Sequence, residues 1–269
     1  MEILEGIDDW REGYLRWRRT DELHGNDLGH RYPQVVNKHA PFKPLGRALP
    51  MLSLALITSA GAHVDGSEPF DIERTGGDAS FREIPTLVGA EDLAWSVRGY
   101  DGAAARADMN AQVPLNRLFE FEGNGIIGRL CPVFWSFCGF IPNAGRLVDE
   151  SLPQLVERVR RYEAQAALLV PASDLCHQSM ALAARALEIA GVPTMMLAVE
   201  REACERVRPP RAAYYKGEFG SVAGQPDWPE HQRRILDEAL RLLEPTDQPG
   251  VRHLTVALET TVEMQRGEK

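Results

Sequence analysis

One stretch, from Ala166 to Leu197, constrains the fold of this chain more than any other. It begins with the apolar run Ala166–Val170, which is typical of a buried parallel strand. Pro171 ends this run, and an apolar stripe at helical spacing then continues to Gly191. A second apolar run, Thr194–Val199, follows. The stretch therefore predicts a strand, a helix and a second strand, the unit from which parallel α/β sheets are built.

The turn between the first strand and the helix carries reactive side chains. Ser173 or Asp174 can cap the helix, which places Cys176 and His177 in its first turn. Free backbone N–H groups and the positive end of the helix dipole lie at this point, a setting that favours thiolate over thiol. Open α/β sheets also bind ligands beyond the carboxyl ends of their strands. We therefore predict an active site at this turn.

The remaining chain continues the alternation of strands and helices. Residues 1–50 are predicted to form an N-terminal extension with an amphipathic helix at Ile7–Arg19, and residues 51–269 a single α/β domain. Its expected fold is a mainly parallel sheet with helices on both faces. The further predicted strands are Leu52–Thr58, Leu93–Val97, Gly125–Leu130 and an edge strand at Thr255–Leu258, and the further helices are Leu147–Tyr162, Glu200–Val207 and Glu230–Leu243.

Composition narrows the function classes. The 269 residues carry a net charge of −9, which argues against a nucleic-acid or membrane-surface partner. No apolar run approaches the roughly 18–20 residues that span a bilayer, and no signal-peptide pattern is present. The four cysteines form no C-x-x-C pair, so we expect a cytoplasmic protein with reduced thiols. No dinucleotide fingerprint or P-loop is present, and no cofactor is predicted.

Other polar residues stand in loops that follow strands. His63 lies in the small-residue loop after Leu52–Thr58 and can serve as acid, base or ligand. Arg82 can hold a carboxylate bidentately, although an internal salt bridge to Asp78 is the favoured interpretation from the residues alone. Oxygen donors cluster near one further loop without calcium-loop spacing, namely Asp101, Asp108 and Asn110.

Several short motifs occur in an order that identifies a family resemblance. They are Ala55–His63, Gly77–Pro85, Gly99–Asp101 with Asp108 and Asn110, Pro114–Leu118, Ser136–Gly139, Cys176–Ser179 and Ala190–Thr194. In this order they resemble the selenoprotein B family of the glycine, betaine, sarcosine and D-proline reductases, in particular its short D-proline reductase type. The resemblance covers roughly residues 51–243.

The resemblance implies a reductase that cleaves C–N bonds of small amino acids or their derivatives. The family's nucleophile is a selenocysteine three residues before a cysteine, and the matching positions here are Ser173 and Cys176. A serine hydroxyl cannot form a selenenyl-sulfide, so the chemistry falls to Cys176, with His177 or His63 shifting its protonation. The expected partners are a small anionic substrate and either a second copy or a reductase-type subunit. The residues proposed to bind substrate are Arg82, Tyr100, Asp101, Asp108, Asn110, Ser173 and Ser179.

Three other functions fit the same residues. A cofactor-independent racemase, isomerase or lyase would need a second cysteine facing Cys176, either Cys138 or Cys204. A non-catalytic relative would bind a ligand without turnover, in keeping with the loss of the selenocysteine. A metal-binding protein would use donors of the right type, namely Cys176, His177, His63 and either Asp65 or Asp101.

Overall fold

The computed structural model describes residues 1–19, 31–244 and 248–256. The helices are α1 (Ile7–Arg19), α2 (Ala103–Ala107), α3 (Leu115–Gly123), α4 (Ala144–Arg146), α5 (Leu152–Arg161), α6 (Asp174–Ile189), α7 (Arg201–Val207) and α8 (Pro229–Arg241). The strands are β1 (Ser53–Thr58), β2 (Ala62–Val64), β3 (Phe81–Pro85), β4 (Leu93–Trp95), β5 (Arg129–Leu130), β6 (Val133–Phe137), β7 (Ala166–Val170), β8 (Thr194–Ala198), β9 (Arg211–Tyr214) and β10 (Gly250–His253).

A mainly parallel sheet forms the centre of the described structure. Its strand order is β10-β9-β8-β7-β1-β6-β3, with β5 also paired to β1. Only β3 runs antiparallel within it, against β6, and β2 and β4 form a separate antiparallel pair. Every residue of β1, β7 and β8 is buried, because helices cover both sides of these strands. The predicted fold class is confirmed.

One apolar cluster lies on each face of the sheet. Side chains of α1, α5, α6 and α7 pack with Ala55, Ile57 and Trp135 on one face. Side chains of α3 and α8 pack with Leu56 and Phe134 on the other face, together with Cys176. Neighbouring strand residues alternate between the clusters, as expected for side chains that point to opposite faces. We call the face that carries Leu56 and Phe134 the α3–α8 face.

The N-terminal extension packs tightly on the outside of α6. Trp10, Tyr14 and Trp17 of α1 are buried and join the core of that face. Arg185 of α6 is completely buried, and its guanidinium donates to backbone carbonyls of Glu2, Ile3, His39 and Arg208. These contacts explain why α6 is buried without interruption from Leu175 to Glu188.

A buried ion pair joins the extension to the sheet. Glu188 at the end of α6 pairs with Arg211 of β9 and accepts a hydrogen bond from the Thr194 N–H at 2.7 Å. Glu188 also accepts from the backbone N–H of Lys43, and the Arg211 guanidinium stacks on Phe42 at 4.2 Å. Because both charges are paired and hydrogen-bonded, their burial is tolerated.

Three predicted strands differ from the structure. The edge strand is Gly250–His253 rather than Thr255–Leu258, since the carboxylate of Glu238 accepts the N–H groups of residues 255 and 256. Ala257 and Leu258 lie outside the described residues. The predicted strand Gly125–Leu130 is reduced to β5, because the chain at residues 126 and 127 still bonds to the carbonyl of Phe121 in α3. The predicted Leu93–Val97 strand pairs with β2 instead of the main sheet.

The helix predicted at Leu147–Tyr162 begins earlier, at Ala144, and contains a π turn at Leu147–Ser151. Pro153 follows this turn and has no N–H to donate to the preceding turn of the helix. The wider turn is the local adjustment to that missing donor.

Candidate active site

The turn from β7 into α6 is organised by Ser173. Of the two predicted caps, Ser173 holds the position, with extended backbone and with its Oγ accepting the Cys176 N–H at 3.2 Å. This cap fixes the first turn of α6 and brings the side chains three residues apart together. The Ser173 Oγ lies 3.0 Å from the Cys176 Sγ.

The Cys176 thiol is closed off from solvent. It is 1% exposed, and its Sγ lies 3.0 Å from the carbonyl of Gly139 and 3.8 Å from the carbonyl of Ser59. Burial raises the pKa of Cys176 and outweighs the hydrogen bonds from Ser173 and Ser59, which lower it. The expectation of a thiolate at the helix start is therefore corrected: in the closed structure Cys176 is a thiol that donates to carbonyl oxygens.

A second thiol lies in the segment that Cys176 contacts. Cys138 follows β6, is 1% exposed and immediately precedes Gly139, whose carbonyl lies 3.0 Å from the Cys176 Sγ. Burial, together with the effect of Cys176, raises the pKa of Cys138 to about 11. Of the two cysteines predicted as possible partners of Cys176, Cys138 is the one that adjoins this contact. Burial and the nearby Glu200 and Glu205 raise the pKa of Cys204 to about 12.

Tyr100 packs beside Gly139, whose carbonyl contacts the Cys176 thiol. Its hydroxyl donates to the carbonyl of Ala60 at 2.6 Å, and burial, followed by the effect of the two nearby cysteines, raises its pKa. Gly139 permits this approach: a Cβ there would lie 2.5 Å from the Arg98 carbonyl and 3.2 Å from the Tyr100 ring. No local sequence pattern predicts this role of Gly139, because its position depends on contacts between distant segments.

His177 holds two loops together. Its Nδ1 lies 2.7 Å from the carbonyl of Ser173, and its Nε2 accepts the N–H groups of Val199 and Glu200 at 3.1 and 3.3 Å. These contacts fix the neutral tautomer with the proton on Nδ1. Burial lowers the pKa of His177 to about 4. Both ring nitrogens form hydrogen bonds to the backbone. The imidazole therefore connects the β7–α6 turn to the β8–α7 turn.

His63 and Arg82 lie in a neighbouring region and contact the same ring. The Nδ1 of His63 is 3.2 Å from the carbonyl of Gly61, and its ring meets Phe70 edge-on. Arg82 stacks on Phe70 at 4.3 Å and donates to the Ser80 Oγ at 2.9 Å. Ser80 in turn donates to Asp78, so a serine bridges the arginine and the carboxylate that were predicted to pair.

Other predicted binding residues support loops. The Asp108 carboxylate accepts from the backbone and side chain of Asn110 and from the Gln232 amide. Asp101 accepts the N–H of Ala103, and Ser179 donates to the helix carbonyl of Leu175. The structure thus brings Ser173 and Tyr100 to Cys176. For the remaining residues the binding role stays a prediction.

A Gly- and Pro-rich segment, residues 217–229, contacts the turn that carries Ser173. The Gly220 N–H donates to the carbonyl of Ala172, and Gly220 has φ +81°, where a Cβ would lie 2.5 Å from the Asp101 carbonyl. The half-exposed Phe219 ring meets His177 edge-on at 5.9 Å. Three surface cavities lie elsewhere, and Cys176 lines none of these three.

Two features are absent from the described part of the chain. No helix there is long and apolar enough to cross a membrane. In the same ranges, no group of three or more His, Cys, Asp or Glu side chains is arranged to hold a metal ion.

Comparison with known proteins gives three relatives of one kind. The chain is 29% identical over 200 residues to D-proline reductase subunit gamma of Acetoanaerobium sticklandii, covering 74% of this chain and 81% of that protein. It is 26% identical to glycine reductase complex component B subunit gamma of Symbiobacterium thermophilum and 27% identical to sarcosine reductase complex component B subunit beta of Peptoclostridium acidaminophilum. These two matches cover 65% and 66% of this chain but only 41% of each relative.

No family model and no solved structure matches the chain. The three relatives confirm the resemblance carried by the sequence motifs: the chain is a homologue of subunits of the D-proline, glycine and sarcosine reductases.

Proposed function

We propose that the chain is a thiol-dependent subunit of a reductase-type complex, acting on a small amino-acid-like substrate through Cys176. The observation that carries the proposal is the 3.0 Å contact between the Ser173 Oγ and the Cys176 Sγ. The reductase family that the motifs resemble carries its selenocysteine and cysteine at these two positions. The relatives' names supply the substrate class: D-proline, glycine and sarcosine.

Reductive cleavage of a C–N bond requires two electrons and two protons. Two thiols supply both when they form a disulfide: the C–N bond and two S–H bonds break, while new C–H, N–H and S–S bonds form. With an oxygen at Ser173, the partner of Cys176 must be another thiol, and we assign this role to Cys138, which precedes the Gly139 carbonyl that Cys176 contacts. An external dithiol then reduces the disulfide and completes the cycle.

Tyr100 has a binding role in this proposal. Its raised pKa keeps the phenol protonated at neutral pH, so the hydroxyl remains a hydrogen-bond donor. In the closed structure that proton goes to the carbonyl of Ala60. When the Gly220 segment opens, the same donor becomes available to an anionic substrate beside the thiols.

Thiol consumption tests the reaction. The reduced protein is incubated with D-proline, glycine or sarcosine, with dithiothreitol present in a parallel series to permit turnover. The thiols are quantified together with the cleavage product, which is a ring-opened primary amine from D-proline, ammonia from glycine and methylamine from sarcosine. We expect Cys176→Ala and Cys138→Ala to lose the reaction. Cys131→Ala, which removes a buried thiol that contacts Ser53 elsewhere in the sheet, should retain it. Unchanged product formation in Cys176→Ala would show that the thiol is structural.

The relatives are named as subunits or complex components, and we extend this to a partner subunit for the present chain. Purification of the tagged full chain from its native cells, followed by sizing, should give a stoichiometric complex in the cytoplasmic fraction. A chain that elutes alone as a monomer contradicts this part of the proposal.

The position of Cys138 next to Gly139, whose carbonyl the Cys176 thiol contacts, also favours a second candidate, a racemase or isomerase with two thiols. One thiolate would remove the Cα proton and the opposite thiol would return a proton, with no net oxidation. Incubation in D₂O separates the two functions. Deuterium at Cα with all thiols retained supports the racemase, whereas loss of two thiols with release of amine supports the reductase.

A further inference from the structure

Two fully buried polar side chains, Gln112 and Ser136, have no hydrogen-bond partner among the described residues. Both amide atoms of Gln112 and the Oγ of Ser136 are unpaired, and both side chains are 0% exposed. Native proteins retain few such groups, because an unpaired buried donor or acceptor has lost its hydration without compensation. The two residues lie close together in the fold, which indicates that they belong to one site.

Thr58 connects them. Ser136 of β6 is in register with Thr58 at the end of β1, so their side chains share one face of the sheet. Strand alternation from Leu56 and Phe134 makes this the α3–α8 face. The Thr58 Oγ1 also lies 3.2 Å from the carbonyl of Gln112. Gln112 and Ser136 therefore flank Thr58 at the carboxyl end of β1.

The reactive thiol belongs to the same place. Ser59 follows Thr58, and its carbonyl lies 3.8 Å from the Cys176 Sγ. Cys176 also packs in the apolar cluster of the α3–α8 face. The Ser136 hydroxyl, the segment that carries Gln112 and the thiol therefore lie at one end of one face of the sheet, beyond which open α/β folds bind their ligands.

We propose that Gln112 and Ser136 hold the polar head of the substrate beside Cys176, an inference that rests on the proposed function. A primary amide and a hydroxyl each offer a donor and an acceptor. These side chains are therefore complementary to a ligand that both donates and accepts hydrogen bonds, as the amino and carboxyl groups of a small amino acid do. Binding then satisfies groups that the free protein leaves unpaired.

The first test is stability. Gln112→Met keeps the side-chain length and removes the unpaired amide, and Ser136→Ala removes the unpaired hydroxyl. We expect each to raise Tm, by about 2–4 °C for a chain of this size. The matched control is Gln178→Met, because Gln178 is also buried but bonds to the Val35 N–H and to the Tyr32 hydroxyl. That variant should lower Tm.

The second test is binding of D-proline, glycine and sarcosine to the reduced full chain by calorimetry. We expect Gln112→Met to weaken Kd by about tenfold or more, since the bonds gained on binding are lost. Gln178→Met should keep the Kd of the unaltered protein. A lowered Tm in Gln112→Met, an unchanged Kd in that variant, or an unaltered protein that binds none of the three amino acids overturns the assignment.

The two proposals fail separately. Unchanged turnover after Cys176→Ala contradicts the thiol chemistry, whereas unchanged Kd after Gln112→Met contradicts this binding site.

Discussion

The Ser173 hydroxyl both caps α6 through the Cys176 N–H and touches the Cys176 thiol at 3.0 Å. A sulfur at Ser173 would therefore stand next to the Cys176 sulfur, and Ser173→Cys should produce a pair able to form a disulfide. Under mild oxidation the variant should form a disulfide between residues 173 and 176, which the unaltered protein cannot form because it has an oxygen at Ser173. Peptide mapping of the alkylated, denatured protein by mass spectrometry identifies this bond. Ser173→Ala is the control: it should give no such disulfide but should cost about 1 kcal/mol through the missing cap.

The buried imidazole of His177 predicts acid sensitivity. Its folded pKa of about 4 lies below the ordinary value of 6.5, so the folded state disfavours the proton. The stabilisation is complete above pH 6.5 and is lost as the pH falls towards 4, by about 3 kcal/mol in total. Urea unfolding at several pH values measures this loss. His177→Gln cannot titrate there, and a pH slope equal to that of the unaltered protein would contradict the assignment.

Cys176 should react slowly with alkylating reagents in the native state. Its pKa is raised by burial, so the thiolate fraction stays low until the pH exceeds the ordinary range of thiols. Because the folded state favours the neutral thiol, the raised pKa of Cys176 also stabilises the folded state. This stabilisation is complete below the pKa that Cys176 has in the unfolded chain and is lost as the pH rises through its pKa in the folded protein. Mass spectrometry after iodoacetamide treatment should show little labelling at pH 7 and a marked rise after unfolding in urea. Rapid native labelling at pH 7 would contradict the closed site.

Phe219 should control access to that thiol. The ring meets His177, and its neighbour Gly220 bonds to Ala172 at the start of the turn. Phe219→Ala is expected to speed alkylation of Cys176 several-fold, because one apolar contact of the covering segment is lost. The unfolding free energy should change by only about 1 kcal/mol, since the ring is half-exposed. Leu87→Ala, which changes a fully solvated side chain, should leave the alkylation rate as it is.

Arg185 should be needed to hold the N-terminal extension. Arg185→Met removes the hydrogen bonds that this buried guanidinium donates to four backbone carbonyls. We expect a loss of about 3–5 kcal/mol in urea unfolding, together with faster proteolysis within residues 1–50. Arg161→Met, which alters only an exposed pair with Glu157, should cost less than about 1 kcal/mol. Equal losses of unfolding free energy in the two variants would show that the buried hydrogen bonds of Arg185 stabilise the protein no more than the exposed ion pair does.

The sequence predicted what depends on local pattern. The β7–α6–β8 unit and the cap at Ser173 follow from a buried run, a helical stripe and turn residues in close succession. The family motifs then identified Ser173 and Cys176 as a matched pair. These features need few contacts beyond their own segment.

Other features depend on pairing between distant segments. His177 was expected to assist the thiol, but the chain brings the N–H groups of residues 199 and 200 to its Nε2. The position of Ser136 beside Thr58 follows from the register of two strands separated by more than seventy residues. The direction of the Cys176 pKa shift likewise follows from segments that cover the turn, which no helix-start pattern contains.

The burial of Cys176 sets the kinetics of any reaction at its sulfur. A reagent meets this thiol only in molecules whose covering segment has opened, so the observed rate is the intrinsic rate multiplied by the open fraction. A substrate or partner subunit that binds the open form more tightly raises that fraction and accelerates the chemistry without altering the thiol. Assembly of a complex would then act as a gate, and the isolated chain would be the least reactive form of the protein.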